Sequence, residues 1–242
     1  MTSKSLRPGR NIKEAIYYGK NLAFTIGTTG GYTTRVYELS KRMEYILKNV
    51  PTERKGINNL FQNELLSKSI ILPSIYCTEW NITNNKLNLF VHQRDCDVAL
   101  ALPFDVTGYA VFLHMMASIT GKEVGVLSWS IKDAYIKVEY IEKIKEQLDR
   151  WNLYQQMTRW SESDLMKRQL ELTELYDKAK CFLDNDELCK MDTELRIIDM
   201  ILNPNIPEIW LNPDVTSFFD FDNSKDIKIK NYKHMGKIDF KS

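Results

Sequence analysis

The chain has 242 residues, of which 43% are hydrophobic and 27% charged, a composition typical of a globular protein large enough for a substantial core. Its 33 Lys and Arg against 32 Asp and Glu give a formal net charge of +1, so no overall field attracts it to nucleic acid or to an anionic membrane. The four cysteines form no CxxC pair and the amino terminus lacks the apolar run of a signal peptide, which predicts a cytoplasmic protein with reduced thiols and no bound metal.

The first predicted elements are a helix and a pair of strands. Residues 32–50 carry apolar side chains at the spacing of one helix face, which predicts a surface helix. Between Leu72 and Leu102 polar and apolar residues alternate, and Asn84-Asn85 interrupts the alternation. This pattern predicts two antiparallel strands joined by a hairpin turn.

A nearly continuous apolar stretch follows from Phe104 to Ile119. It is too short to span a membrane and predicts a buried central helix, with His114 as a core or helix-face residue. Gly121 ends this helix. The sequence "EVGVLSWSIKDAYIKV" predicts a further strand and loop, and "EYIEKIKEQL" predicts the start of an amphipathic helix.

An acidic helical hairpin is predicted next. Ser161 opens one helix with a capping-box spacing, Asp184-Asn185-Asp186 breaks it, and Leu188–Leu202 forms a second helix. Residues 151–209 hold seven Lys and Arg against twelve Asp and Glu. We therefore expect a core in residues 1–148 and 210–242 with an inserted hairpin in 149–209.

Two long motifs resemble the thymidylate synthases and their deoxycytidylate hydroxymethylase relatives. They are "HQRDCDVALALPFDVTGYAVFLHMMASITGKEVGVLSWSIKDAYI" and "LNPDVTSFFDFD". The resemblance implies an α+β fold in which helices pack on a mixed, largely antiparallel sheet around a buried central helix. The first third of a typical member of that family has no counterpart in this sequence. The acidic hairpin stands where family members usually have a short connection.

The resemblance places Ser74 where the family has its nucleophilic cysteine and Ile75 where a histidine follows. A thiol can be tuned to thiolate near neutral pH, whereas a serine hydroxyl needs an adjacent base, and the sequence shows none. Cys77 is a poor substitute, because three residues along a regular strand put its side chain on the opposite face. We therefore expect the first chemical step to be disabled.

The residues that match the family's nucleotide phosphate site are only partly retained. Arg94 matches a phosphate-binding arginine, and Arg54 with Lys55 keeps the positive charge of a pair that reaches across the dimer. Asp95, however, replaces a phosphate-binding serine. A carboxylate there repels a phosphate, and Arg94 can pair with Asp95 instead.

The remaining site residues concern the base, the sugar and the folate. Asp105 matches the position that contacts the pyrimidine edge, and a carboxylate suits the amine of cytosine better than the carbonyl of uracil. The alternative is that Asp105 only caps the helix. Tyr135 and Lys137 replace a sugar-binding histidine and tyrosine, and Asp97 matches a folate-side aspartate or is a buried structural acid.

Three functions remain open. The first is a family member that has lost one-carbon transfer and acts as a binding or scaffold protein, with nucleotide binding retained or lost and no cofactor expected. The second is an active dCMP or dUMP C5 hydroxymethyl- or methyltransferase that uses methylenetetrahydrofolate. The third is a nucleic-acid-binding module, against which the neutral charge argues.

The resemblance also predicts partners. We expect a homodimer, or a heterodimer with a complete family member, built through the strands of Leu72–Leu102. A separate protein partner is expected at residues 161–202, where the sequence offers apolar surface that the family core does not need to cover: Met166, Leu170, Ile197, Met200 and Ile201.

Overall fold

This computed structural model describes residues 38–52, 56–66, 72–179 and 185–238. They form two compact units. The first contains the described residues up to Tyr135 together with Leu211–Asp226, and the second contains Ile136–Trp210 together with the described residues from Ile227 onward. The boundaries predicted for an inserted hairpin, at 149 and 209, stay a prediction.

A four-stranded mixed sheet is the frame of the first unit. Its strands are β1 (Ile57–Asn59), β2 (Ile75–Thr83), β3 (Lys86–Asp97) and β4 (Glu123–Tyr135), in the order β1-β2-β3-β4. The β1–β2 and β2–β3 pairs are antiparallel and the β3–β4 pair is parallel. Asn84 and Asn85 have φ angles of 50° and 62°, as a two-residue hairpin turn requires, so the predicted hairpin is confirmed.

Two irregularities interrupt the ladders of β3. Opposite its carboxyl-terminal half, Ile75 pairs with Gln93 whereas Cys77 pairs with His92, so Tyr76 is an extra residue in β2. Opposite its amino-terminal half, the Asn88 side chain accepts the amide N–H of Val126 at 2.9 Å. The first bulge breaks the regular alternation of β2 that was assumed in placing Cys77 on the face opposite Ser74, so that placement stays a prediction.

Three α-helices of the first unit fall within the described residues. They are α1 (Leu39–Asn49), α2 (Asn63–Leu66) and α3 (Ala101–Thr120). The surface helix predicted over 32–50 is confirmed from Leu39 onward, and its beginning lies outside the described residues. Helix α3 starts three residues before its predicted start and ends at Gly121, whose φ of 64° suits a glycine carboxyl-terminal cap.

The core of the first unit lies between the sheet, α1 and the carboxyl-terminal half of α3. Met43, Leu87, Leu89 and Met116 are fully buried there. Phe104, in the first turn of α3, is 79% exposed, so burial of the predicted central helix is concentrated in its second half. Among the described helices α3 has the length and hydropathy to cross a membrane, a test that core helices of soluble proteins also pass.

The second unit is mainly helical. Its helices are α4 (Ile141–Met157), α5 (Glu162–Ala179) and α6 (Asn185–Leu202). The short strands β5 (Glu208–Leu211) and β6 (Ile227–Lys230) pair with each other as a two-stranded sheet. The two predicted hairpin helices are confirmed as α5 and α6, and the segment 180–184 between them lies outside the described residues. Ser161 accepts the amide N–H of Asp164 at 3.2 Å, as its capping role predicts.

The core of this unit corrects one surface prediction. Ile197 is fully buried with Met157, Leu165, Leu172 and Ile198. It was predicted to be exposed because helical periodicity identifies an apolar face but not what covers it.

Candidate functional site

Ser74 lies in the bend that leads into β2. Its carbonyl oxygen accepts the amide N–H of Arg94 at 2.8 Å, which fixes this bend beside the end of β3. Within the described part of the chain, no side chain hydrogen-bonds the Ser74 hydroxyl. Among the described residues the serine therefore has no general base in contact with its hydroxyl.

Cys77 is not poised to act in its place. Burial, and then the nearby charge of Glu79, raise the pKa of the Cys77 thiol. A raised pKa reduces the thiolate fraction at neutral pH, and the thiolate is the reactive form. Glu79 itself contacts the ring of His92, with 2.9 Å between Oε1 and Nε2.

The guanidinium of Arg94 has partners within the chain. Nε donates to the carbonyl of Pro73 at 3.3 Å, Nη2 donates to that of Leu72 at 3.4 Å, and Nη1 lies 3.3 Å from Oδ2 of Asp95. The other carboxylate oxygen of Asp95 is buried without a hydrogen-bond partner. The arrangement uses the positive charge of Arg94 to hold the Ser74 bend and to balance Asp95.

Asp105 lies one turn inside α3 rather than at its start. The amino-terminal cap position is Leu100, so the alternative in which Asp105 caps the helix is wrong. Its Oδ2 accepts a hydrogen bond from Nε2 of Gln93 at 3.1 Å, and Oε1 of Gln93 accepts from Nε1 of Trp129 at 2.8 Å. Burial raises the pKa of Asp105, and the hydrogen bond from Gln93 lowers it.

Tyr109 lies one further turn along α3 and forms the apolar side of this site. Its ring meets that of Trp129 edge to face, with 5.5 Å between centroids, and also contacts Phe112. Burial, followed by the charge of Asp105, raises the pKa of Tyr109 to about 12. The phenol therefore stays protonated and can only add a neutral hydroxyl to the site.

Asp97 holds the turn between β3 and α3. Its Oδ1 accepts the amide N–H groups of Ala99 and Leu100, at 3.2 and 3.3 Å. The side chain is buried. This is the geometry of the structural acid that the sequence left open as an alternative to a folate contact.

Of the other predicted residues, one ends β4, one belongs to the second unit and two lie outside the described residues. Tyr135 ends β4 with its side chain 43% exposed. Lys137 belongs to the second unit, where its Nζ lies 5.2 Å from the centroid of the Tyr140 ring. Arg54 and Lys55 lie outside the described residues. No group of three His, Cys, Asp or Glu suited to a metal ion occurs in the described ranges.

Two residues of this site, Gln93 and Trp129, were not predicted. A signal for Gln93 was present: Leu87, Leu89, Val91 and Gln93 alternate along β3, which places a polar amide on the buried face of the strand. A buried amide must have hydrogen-bond partners, so it points to a polar cluster. Trp129 could not be found in this way, because its pairing depends on how β4 meets β3.

The fold and this arrangement define a thymidylate-synthase-like α+β protein. The structure matches a thermostable thymidylate synthase A from Bacillus subtilis with a TM-score of 0.59 and 26% identity, over 84% of this chain and 55% of that one. Residues 14–178 match the family model described as thymidylate synthase. The chain belongs to the thymidylate synthase family, and the predicted resemblance and fold class are confirmed.

Proteins similar to this chain carry the same family name. A thymidylate synthase of Clostridium beijerinckii is 28% identical over 210 residues, which are 87% of this chain and 61% of that protein. One of Bacillus atrophaeus is 29% identical over 194 residues, 80% of this chain and 63% of that protein. The chain therefore spans about three-fifths of the length of these two relatives.

Proposed function

We propose that this chain is a thymidylate-synthase-family protein that does not transfer a one-carbon unit and acts by binding. The proposal rests on Ser74, which the resemblance places at the nucleophile position and whose hydroxyl has no base in contact with it among the described residues. The family reaction begins with attack of a thiolate on C6 of the pyrimidine. Neither Ser74 nor Cys77, whose thiol pKa is raised, supplies a ready nucleophile for that attack.

The geometry of Arg94 supports the same proposal. An arginine that binds phosphate needs free donors, and here Nε, Nη1 and Nη2 face the carbonyls of Pro73 and Leu72 and the carboxylate of Asp95. A phosphate could use only the second N–H groups of Nη1 and Nη2, or would have to displace these partners, and in either case it would lie beside the negative charge of Asp95. We therefore expect any nucleotide monophosphate to bind weakly through its phosphate.

Recognition of a base is better supported than recognition of the phosphate. Asp105 has one oxygen held by Gln93 and no partner for Oδ1 among the described residues. A carboxylate acceptor suits the exocyclic amine of cytosine, whereas it would face the O4 acceptor of uracil without a hydrogen bond. We propose that whatever nucleotide binding remains favours dCMP over dUMP.

The test is tritium release from 5-labelled dCMP and dUMP with methylenetetrahydrofolate, at high protein concentration. The natural protein and a Ser74→Ala control are expected to release none above background. If a Ser74→Cys variant releases tritium, the surrounding pocket is retained and the serine alone blocks the reaction. Release by the natural protein that disappears in Ser74→Ala and in Arg94→Ala would overturn the proposal.

The second candidate function is an active dCMP C5 hydroxymethyl- or methyltransferase, favoured by Asp105. Its cofactor would be methylenetetrahydrofolate, as in the family. Asp97 is the residue predicted on the folate side, but its Oδ1 already accepts two amide N–H groups of the turn before α3. The residue does not fit a folate contact through that oxygen, and we expect no cofactor to be held there.

We also propose that the chain dimerises, with itself or with a complete family member. The outward face of the sheet carries exposed apolar side chains, among them Ile57, Phe90 and Val126. Phe90→Glu should lower the sedimentation mass toward one 28.4 kDa chain at micromolar concentration, whereas Phe104→Glu on α3 should not. A natural protein that already sediments at the mass of one chain would contradict this.

A separate protein partner is proposed on the hairpin over 161–202. Met166 and Leu170 lie one turn apart on α5 and are 49% and 68% exposed.

We place the protein in the cytoplasm, and the nearly neutral net charge argues against the nucleic-acid-binding alternative. Strongly salt-dependent retention on DNA would support that alternative.

A further inference from the structure

A cavity of about 560 Å³ lies in the second unit between α4 and α6. This volume is in the range of sites that hold small molecules. None of the residues of the candidate site described above lines it. Helix α6 contributes one face that extends over two turns, with residues three and four positions apart: Asp186, Cys189, Lys190 and Thr193.

Arg150 on α4 forms a wall of the cavity that is fixed within the unit. Its side chain is 8% exposed. Nη2 donates to Oε1 of Glu146 at 2.7 Å and to the carbonyl of Lys237 at 3.2 Å, and Nη1 donates to the carbonyl of Met235 at 2.9 Å. Nη2 also contacts Sγ of Cys189 at 4.0 Å. The thiol of Cys189 therefore lies on the side of α6 that faces α4 and the cavity.

One buried hydroxyl in the cavity has no partner. Thr193 is 5% exposed, and its hydroxyl forms no hydrogen bond within the described ranges of the chain. A helical threonine can donate to the carbonyl four residues earlier, as Thr173 on α5 does to Gln169 at 2.8 Å. Because buried polar groups are normally hydrogen-bonded, the free hydroxyl of Thr193 points to a ligand in the cavity.

The unpaired charges around the cavity have both signs. Lys190, Asp149 and Asp186 line it without an ion-pair partner in the part of the chain that the structure describes. A ligand that uses these groups needs a carboxylate for the lysine and an ammonium for the two aspartates. The other charged residues that line the cavity are in ion pairs, Lys143 and Arg150 with Glu146 and Glu194 with Arg168.

Cys189 is also the cysteine that a reagent reaches most easily among those in the described residues. It is exposed, whereas Cys77 is partly buried and Cys96 is buried. Access to the thiol is one of the factors that set the rate of exchange with a disulfide. The cavity therefore places an accessible thiol beside groups that can hold a zwitterion.

We propose that Cys189 is a site of S-thiolation by an amino-acid or peptide disulfide that binds in this cavity. The carboxylate of the ligand pairs with Lys190, and its ammonium pairs with Asp149 and Asp186. Thr193 donates its hydroxyl to a carbonyl oxygen of the ligand. The thiolate of Cys189 attacks one sulfur of the disulfide, whose S–S bond breaks as the new S–S bond forms. The other half leaves as a thiolate and takes up the proton that Cys189 has lost.

The test measures the rate of mixed-disulfide formation at Cys189 by mass spectrometry, in a Cys181→Ser background. This background is needed because tryptic cleavage after Lys180 and Lys190 leaves both cysteines on one peptide. The reagents are oxidised glutathione, which carries carboxylates and ammonium groups, dithiodipropionate, which carries carboxylates only, and neutral hydroxyethyl disulfide. Each rate is divided by the rate with N-acetylcysteine, which removes differences in intrinsic reactivity.

The normalised rate with oxidised glutathione is expected to exceed that with hydroxyethyl disulfide about tenfold. Thr193→Val keeps the volume and removes the hydroxyl, so it should lower the rate with oxidised glutathione about fivefold and leave the neutral reagent unaffected. Asp186→Asn should lower the rate with oxidised glutathione but raise that with dithiodipropionate, because it removes an ammonium partner from the first and a like charge from the second. Thr173→Val, on α5 outside the cavity, is the matched control and should change none of these rates.

Three results would overturn the proposal. The first is an equal normalised rate for all three disulfides, since exposure alone would then govern the thiol. The second is an unchanged rate with oxidised glutathione in Thr193→Val, with folding checked by circular dichroism. If that variant does not fold, Lys190→Gln at an exposed side chain replaces it and must lower the rates with both carboxylate reagents. The third is modification of Cys77 or Cys96 in preference to Cys189.

Discussion

Replacing Asp95 by serine removes a carboxylate that pairs with Arg94 and lies where a bound phosphate would come close. Nη1 of Arg94 is 3.3 Å from Oδ2 of Asp95 in the structure. Serine offers a hydroxyl that can donate to a phosphate oxygen, whereas aspartate can only repel it. We therefore expect Asp95→Ser to strengthen binding of dCMP.

The size of the effect follows from the distance between the charges. A phosphate on the same guanidinium would lie about 4 Å from the Asp95 carboxylate, and two unit charges at that separation interact by about 4 kcal/mol at an effective dielectric of about 20. The side chains of Arg94 and Asp95 are 39% and 34% exposed, so solvent screens much of this. We therefore expect the binding free energy of dCMP to improve by about 1 to 2 kcal/mol, or roughly five- to thirtyfold in dissociation constant.

Isothermal titration calorimetry with dCMP and with deoxycytidine separates the phosphate from the base. Asp95→Ser should improve binding of dCMP and leave deoxycytidine unchanged. Glu123→Gln is the control, because it removes one negative charge from the far end of β4, ten residues from the partner of Asp95 in the ladder. A change in dCMP affinity of less than about twofold would refute the placement of phosphate at Arg94.

Two further predictions concern stability. Met116 is fully buried in the core of the first unit, so Met116→Ala should cost about 2 to 5 kcal/mol in urea denaturation, while Met166→Ala, at a side chain 49% exposed, should change stability by less than about 0.5 kcal/mol. The hydrogen bond from Lys233 holds the pKa of Asp199 below its ordinary value of 3.8, so the stabilisation is fully present above pH 3.8 and is lost as the pH falls further, through the lowered pKa of the folded state. Asp199→Asn should therefore lower stability at neutral pH and reduce the loss of stability below about pH 4, and an unchanged acid limb would contradict this reasoning.

Local signals in the sequence were sufficient for the elements that they control directly. The two asparagines at 84 and 85 adopt positive φ, a conformation that asparagine tolerates, and so they fix a hairpin without help from the rest of the chain. The helices α5 and α6 likewise follow from capping and periodicity. Each of these depends on interactions between residues close in sequence.

Features that depend on a partner element could not be obtained in this way. The bulge at Tyr76 exists because β2 must meet β3 in a particular register, and no residue in β2 alone signals it. Asp105 was considered as a cap because aspartate is favoured at the amino-terminal cap position, but α3 begins at Ala101 and Asp105 falls inside the helix. The structure therefore departs most from the sequence-based predictions where several elements meet.

The cluster around Asp105 can serve stability or base recognition, and one substitution distinguishes these two roles. If Gln93 and Asp105 are paired only for stability, then Asp105→Asn keeps the pairing, because the amide oxygen of asparagine accepts from Gln93 as the carboxylate does. If the cluster recognises a base, the same variant presents an NH₂ donor where the natural protein presents an acceptor. Stability should then change by less than about 1 kcal/mol, while the preferred nucleotide changes from dCMP to dUMP. A nucleotide preference that does not change in a folded Asp105→Asn variant would assign the cluster to the core rather than to recognition.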